Sequence, residues 1–267
     1  MTDLHVVVEG AGPPLLTIHG GLGLDHTYLR AGLAGLADRF TLVHADVAGH
    51  GRSPAPADWA AQDLDVWADD LDAVRAARGH SRWDVLGHSY GALIAMAYAL
   101  RHPDRVGRLV LVGGGPSFAH AGAVLAELDR RGHPEAAAAL LAGLSAPARD
   151  DDHFGSVWLE VLPLYFHRWE PRYRDVFAGT RYSADGFNRG NELLGTLDFT
   201  PRLGAIAAPT LVLGGDDDFI MPADGPGAVL ASGIPGARRQ VIPGSGHFPF
   251  LEVPEATTSA IADFLAT

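Results

Sequence analysis

The sequence predicts an α/β fold in which a mostly parallel central sheet, flanked by helices, is interrupted by a helical insertion. Three observations carry this. Short apolar runs alternate with amphipathic stretches of helical period up to residue 115, the order expected of successive strand–helix–strand units. From 117 to about 199 the alternation stops, and Ala- and Leu-rich helical stretches broken by Pro147, Pro163 and Pro171 follow one another. After Pro201 the alternation resumes. The expected division is a core of 1–115 and 201–267 with an inserted lid at 116–200.

The first strand candidate is Val6-Val7-Val8, ended by the breaker Gly10-Ala11-Gly12-Pro13-Pro14. Leu15 to His19 is the second apolar run and leads into Gly20-Gly21-Leu22-Gly23. Thr27 to Phe40 has helical spacing, with Leu29, Leu33, Leu36 and Phe40 on one face. Thr41 to Asp46 reads as a strand followed by a glycine-rich turn, Gly49-His50-Gly51, which lacks the lysine and spacing of a phosphate loop. Asp63 to Arg78 is an amphipathic helix striped by Leu64, Trp67, Leu71 and Val74. Strands are expected up to Leu86, over Val106–Val112, over Pro209–Leu213 and over Arg238–Ile242. Helices are expected from Ala92, over Gly122–Arg131, over Pro134–Leu144 and over Glu255–Ala266.

Composition narrows the function. The absence of cysteine removes disulfides, thiol nucleophiles and thiolate metal sites together. A net charge of −12 argues against nucleic acid, which needs a basic footprint. No apolar run reaches the ~20 residues of a membrane span, and the first residues show no basic segment followed by an apolar one. A cytoplasmic location is the expectation. None of the 13 histidines forms the His-Glu-x-x-His arrangement of a zinc helix, so neither metal nor cofactor is expected.

The chemistry concentrates at Gly87-His88-Ser89-Tyr90-Gly91, between a buried strand and a helix. Gly-x-Ser-x-Gly in that context is a sharp turn that lifts a serine hydroxyl clear of the sheet. Such a serine needs a base, and the base needs an orienting carboxylate. An Asp cluster, Asp216-Asp217-Asp218, follows a later strand, and His247 follows the last one, after Gly244-Ser245-Gly246. In parallel sheets the chemistry gathers at the strands' C-terminal ends, so these stations are expected to converge. Two of the three aspartates are expected to be solvated turn residues. The oxyanion donors are expected to be the N–H groups of Tyr90 and of Gly21, with Leu22 as second choice for the latter.

With these residues in place the chain resembles the α/β-hydrolase superfamily over nearly its whole length. The pattern Gly-x-x-Asp-x-x-x-Pro falls on Gly215, Asp218 and Pro222, which implies Asp218 as the acid of a Ser89–His247–Asp218 triad. The closing pattern falls on Gly246, His247, Glu252, Pro254 and Glu255, and Asp46 with Gly49 to Ser53 is also similar to the superfamily. Within it, His19-Gly20-Gly21-Leu22-Gly23 is most similar to the His-Gly-Gly-Pro-Gly loop of proline iminopeptidases, with Leu22 in place of the proline. Those peptidases hold a substrate amine with acidic residues near the lid, which implies Glu192 here. Some carry a second Glu after the triad acid, where this chain has Phe219.

Leu22, Phe219, Trp158 and Tyr165 complete the candidate substrate-binding set, the last two drawn from ten lid aromatics between 154 and 199. Most of those rings are expected to pack the lid's own core. The resulting expectation is a serine hydrolase that cleaves an amide or N-terminal peptide bond of a small molecule or short peptide. An esterase or lactonase acting on a small apolar ester is the alternative, and the loss of the second carboxylate at Phe219 favours it. A ligand-binding protein of the same fold without turnover is the reading of a different class.

Overall fold

In the apolar runs, neighbouring residues go to opposite faces of one sheet. Leu15 and Leu16, Leu42 and Val43, Val85 and Leu86, and Leu111 and Val112 each split between two separate buried clusters. A strand covered on both faces has no polar side, which is why these stretches read as continuous rather than alternating hydrophobics. A computed structural model of the chain describes residues 3–119 and 121–267.

Among the described residues the seven strands are β1 (Val6–Gly10), β2 (Pro14–Ile18), β3 (Thr41–Ala45), β4 (Trp83–His88), β5 (Val106–Val112), β6 (Thr210–Gly215) and β7 (Arg238–Ile242). They lie in the order β1-β3-β2-β4-β5-β6-β7. Only the β1–β3 pair is antiparallel; the others are parallel. At the far edge β7 is half-solvated and begins with Arg238 and Arg239, the charged character that keeps an open edge from pairing with another chain.

Helices α1 (Thr27–Gly32), α2 (Leu64–Ala77) and α3 (Tyr90–Arg101) alternate with the first strands. Asp63 caps α2 by accepting the Val66 N–H. Every residue of α3 from Tyr90 to Ala99 is buried, and its alanines let it lie close against the sheet and α2. The helix expected from Thr27 to Phe40 is instead broken at Leu33, followed by a short 3₁₀ turn at Ala34–Leu36. The break follows Gly32, where a side chain would run into the Phe250 ring.

Between β5 and β6 stand α4 (Ala121–Leu128), α5 (Pro134–Ser145), α6 (Asp151–Val161), α7 (Arg172–Val176) and α8 (Ala184–Leu194). Their two ends meet: Ser117 and Asp198 form an antiparallel bridge, and the Phe199 N–H donates to the Pro116 carbonyl at 2.8 Å. After β6 come α9 (Pro226–Gly233), which periodicity did not predict, then α10 (Pro249–Glu252) and α11 (Pro254–Leu265). Among the described residues no helix is long and apolar enough to cross a membrane.

Candidate active site

Ser89 has φ 54° and ψ −119°, and among the described residues it is the only non-glycine with positive φ. The flanking glycines make that geometry possible. A side chain at Gly87 would strike the Gly91 backbone, and one at Gly91 would strike the carbonyls of Ile18 and His19 at the end of β2. The turn is held by the Ser89 N–H, which donates to the Val112 carbonyl at 2.8 Å, and by the Ala92 N–H, which donates to the Ser89 carbonyl at 2.9 Å. Tyr90 is the first residue of α3, so its N–H has no intrahelical acceptor and lies at the positive end of the helix.

His247 is buried on the loop after β7. Its Nδ1 lies 2.8 Å from Asp218 Oδ2, while Asp218 Oδ1 accepts the N–H groups of Ile220 at 3.0 Å and Met221 at 2.9 Å. A carboxylate only accepts, so the proton between them sits on Nδ1, and Nε2 is left as the basic nitrogen. The His247 main chain is fixed at both groups: its N–H donates to the Tyr165 carbonyl at 2.7 Å, and its carbonyl accepts from His88 Nε2 at 2.9 Å. Burial holds the His88 imidazole well below its ordinary range, with the neighbouring His247 adding to the effect. Gly113, at φ 54°, leaves room for the pair, since a Cβ there would lie 3.2 Å from the His247 ring.

The other two aspartates are not idle surface charges. Asp216 accepts the N–H groups of Gly244 and Ser245, tying the loop after β6 to that after β7. Asp217 pairs with Arg131 at 2.9 Å and with His167 at 3.1 Å, fastening the helical insertion to the sheet. Glu252 accepts the Gly246 N–H at 2.6 Å and the Arg168 N–H, and burial raises its carboxyl above the ordinary range. Sequence spacing gave no sign of these separate duties.

Ser89, Tyr90, His247, Gly21, Leu22, Trp158 and Tyr165 line one cavity of about 800 Å³, walled mainly by apolar residues of α5, α6 and α8. Gly21 has φ 63°, a conformation that suits glycine. Its loop is held from the insertion side: the Leu22 side chain covers Gly190 of α8, and the Ser183 N–H donates to the Gly23 carbonyl at 2.9 Å. Asp25, fully buried, pairs with Arg52 at 2.9 Å and accepts the Arg181 N–H.

Two expected residues stand elsewhere. The Glu192 side chain is 68% exposed and pairs with Arg189 at 3.0 Å; its neighbour Asn191 lines the cavity instead. On α8 consecutive residues point about 100° apart, so a carboxylate one position from the wall faces water. Phe219 is buried beneath the wall, edge-on to Tyr165 and under the Arg131 guanidinium, whereas Ile220 and Met221 line the cavity. Most lid rings pack on each other, as between Phe166 and Tyr173 at 4.3 Å. Among the described residues one group, His5, His26 and Asp46, brings metal-ligand atoms within 4.8 Å of one another. Two of its members already bond each other at 2.8 Å, and Asp46 also accepts the His26 and Arg52 N–H groups.

Residues 13–254 match the model of the alpha/beta hydrolase fold family, and the chain belongs to that family. It is 30% identical over 248 residues to the proposed carbamate hydrolase RutD of Klebsiella pneumoniae (strain 342), covering 88% of this chain and 85% of that one. It is 27% identical to the proline iminopeptidase PfmaB of Pestalotiopsis fici, over 95% of this chain and 92% of the other. Among solved structures, a thermophilic esterase from Thermogutta terrifontis superposes with a TM-score of 0.78 at 26% identity, covering 99% of this chain and 93% of that one. A proline iminopeptidase thus stands beside an esterase and a proposed carbamate hydrolase as relatives at similar distance, and what the chain shares with all of them is the alpha/beta hydrolase fold.

Proposed function

We propose that the protein is a serine hydrolase acting on a small, neutral, largely apolar ester or lactone through an acyl-enzyme. The observation that carries this reading is the Asp218–His247 hydrogen bond opening on the same cavity as Ser89. His247 Nε2 takes the Ser89 Oγ proton as Oγ attacks the carbonyl carbon. The carbonyl oxygen becomes an oxyanion held by the N–H groups of Tyr90 and Gly21. His247 then hands the proton to the leaving group as the carbonyl–oxygen bond breaks. Water, giving its proton to the same nitrogen, attacks the acyl carbon; the bond from that carbon to Ser89 Oγ then breaks, and His247 returns the proton to Oγ, releasing the acid and free Ser89.

The choice of an ester over an N-terminal peptide rests on the walls. Glu192 is turned to solvent, and the two acidic side chains that do line the cavity, Glu135 and Glu160, are exposed. Among the described residues no acidic side chain stands in the apolar part of the wall to pair with a desolvated ammonium. Amide cleavage remains the second reading, favoured by the loop His19–Gly23 and by the iminopeptidase relative.

A fluorophosphonate probe should label the parent protein and not Ser89→Ala. Against a panel of p-nitrophenyl esters, lactones and aminoacyl-arylamides, the esters should turn over fastest. Glu192→Gln should leave kcat/KM for all of them within about twofold, as expected for an exposed ion pair. Faster cleavage of free-amine amides than of esters, with KM raised by Glu192→Gln, would reverse the assignment.

A further inference from the structure

A buried chain of hydrogen bonds joins three segments of the site through a residue outside it. The Gly20 N–H lies 2.5 Å from the Tyr28 Oη. Tyr28 Oη lies 2.8 Å from His88 Nδ1, and His88 Nε2 lies 2.9 Å from the His247 carbonyl. Both Tyr28 and His88 are almost fully buried.

The proton positions follow from the two ends. A carbonyl oxygen only accepts, so His88 Nε2 carries the hydrogen. A buried neutral imidazole then has its lone pair on Nδ1, so Tyr28 donates its O–H there. The Tyr28 oxygen is left to accept the Gly20 N–H, which can only donate. The chain therefore runs one way, from Gly20 through Tyr28 and His88 to His247, with every donor and acceptor used once. The approach is close enough to require glycine at its start, since a Cβ on Gly20 would lie 2.7 Å from the Ser89 Cβ and 2.9 Å from His88 Nδ1.

Each member touches a working part. Gly20 precedes the oxyanion donor Gly21, His88 precedes Ser89, and the His247 carbonyl belongs to the proposed base itself. Tyr28 is anchored independently by stacking on Phe177 and Phe250. We propose that Tyr28 is a positioning residue, whose hydroxyl sets the oxyanion loop, the serine turn and the histidine main chain in one mutual register by locking His88 in its Nε2–H form. The inference rests on the serine hydrolase reading above and extends it to a residue that touches no substrate.

Tyr28→Phe keeps the ring and removes only the hydroxyl. On a short p-nitrophenyl ester kcat should fall about ten- to a hundredfold while KM stays within about threefold, because a shift of catalytic groups acts on the transition state more than on binding. Fluorophosphonate labelling should slow in proportion. In a double-mutant cycle, Tyr28→Phe with His88→Asn should lose no more than the worse single variant, as for residues acting as one unit. Nitrogen-15 NMR of the parent protein should show His88 protonated on Nε2 with Nδ1 as an acceptor.

A folded Tyr28→Phe with kcat within about twofold of the parent, or a loss carried wholly by KM, overturns the proposal while leaving Ser89 as nucleophile. Losses that simply add in the double variant overturn it too. If the variant does not fold, the NMR decides: an Nδ1–H form of His88 overturns the relay. A parent protein that does not label defeats the hydrolase reading and the positioning role together.

Discussion

Replacing Asp218 by Asn should abolish nearly all turnover while hardly touching the fold. The orientation of the new amide is dictated by the donors around it. The N–H groups of Ile220 and Met221 point at Oδ1 from 3.0 and 2.9 Å, so the amide oxygen must stay there and its NH₂ must face His247 Nδ1. Two donors cannot share that 2.8 Å contact. Nδ1 therefore gives up its hydrogen, the proton moves to Nε2, and the nitrogen meant to receive the serine proton becomes a donor. Loss of base catalysis through the wrong tautomer is worth about 10⁴ in kcat, or about 5 kcal/mol of transition-state stabilisation. Both backbone donors keep their acceptor, so the unfolding temperature should hold, unlike in Asp218→Ala, where unsatisfied buried donors cost about 1–3 kcal/mol each. The assay is kcat/KM on a short p-nitrophenyl ester with thermal unfolding alongside. A loss of less than about tenfold in a folded Asp218→Asn protein would refute the assigned roles.

Two further outcomes test stability. Ser89 holds φ 54° against the cost of a side chain there, so Ser89→Gly should lose all labelling yet gain about 1–2 kcal/mol, read as a rise in unfolding temperature of about 2–4 °C. Ser89→Ala, with the same strain, should lose labelling without the gain; equal behaviour of the two would mean the turn is relaxed. Acid stability should depend on His44, which burial pushes down to about 4, against the attraction of Glu9. Below about pH 6.5 the unfolded chain takes up a proton that the folded imidazole refuses until about pH 4. Its contribution is thus complete above that upper limit and is lost as pH falls through the window, about 3 kcal/mol in all. Urea titrations at several pH values should show this slope in the parent and a flatter one in His44→Gln.

The serine turn was legible because its two glycines flank the serine in one short motif, even though the backbone that excludes a side chain at Gly91 belongs to the end of β2. The central strands were legible because both of their faces are covered. The choice of Asp218 among three aspartates came only from family spacing, since what separates them is which N–H groups meet each carboxylate. The orientation of Glu192 was not legible either, because one step along α8 separates cavity from solvent. His88 sits at a position the motif leaves open, so its bonds to Tyr28 and His247 depend on segments far away in the chain. The break at Leu33 was hidden for the same reason: the ring that excludes a side chain at Gly32 belongs to Phe250.

The antiparallel bridge of Ser117 with Asp198 brings together the points where the chain leaves the core for the helical insertion and returns from it. Exchange of everything between those residues for another helical module would leave the sheet connections intact, so selectivity can diverge there while the core is inherited unchanged. Such a transplant carries obligations, and the one nearest the proposed base is plain. The His247 N–H takes its acceptor from Tyr165, within the exchanged segment. A foreign module must bring a carbonyl to the same point, or the new cavity will come with a loosened histidine loop.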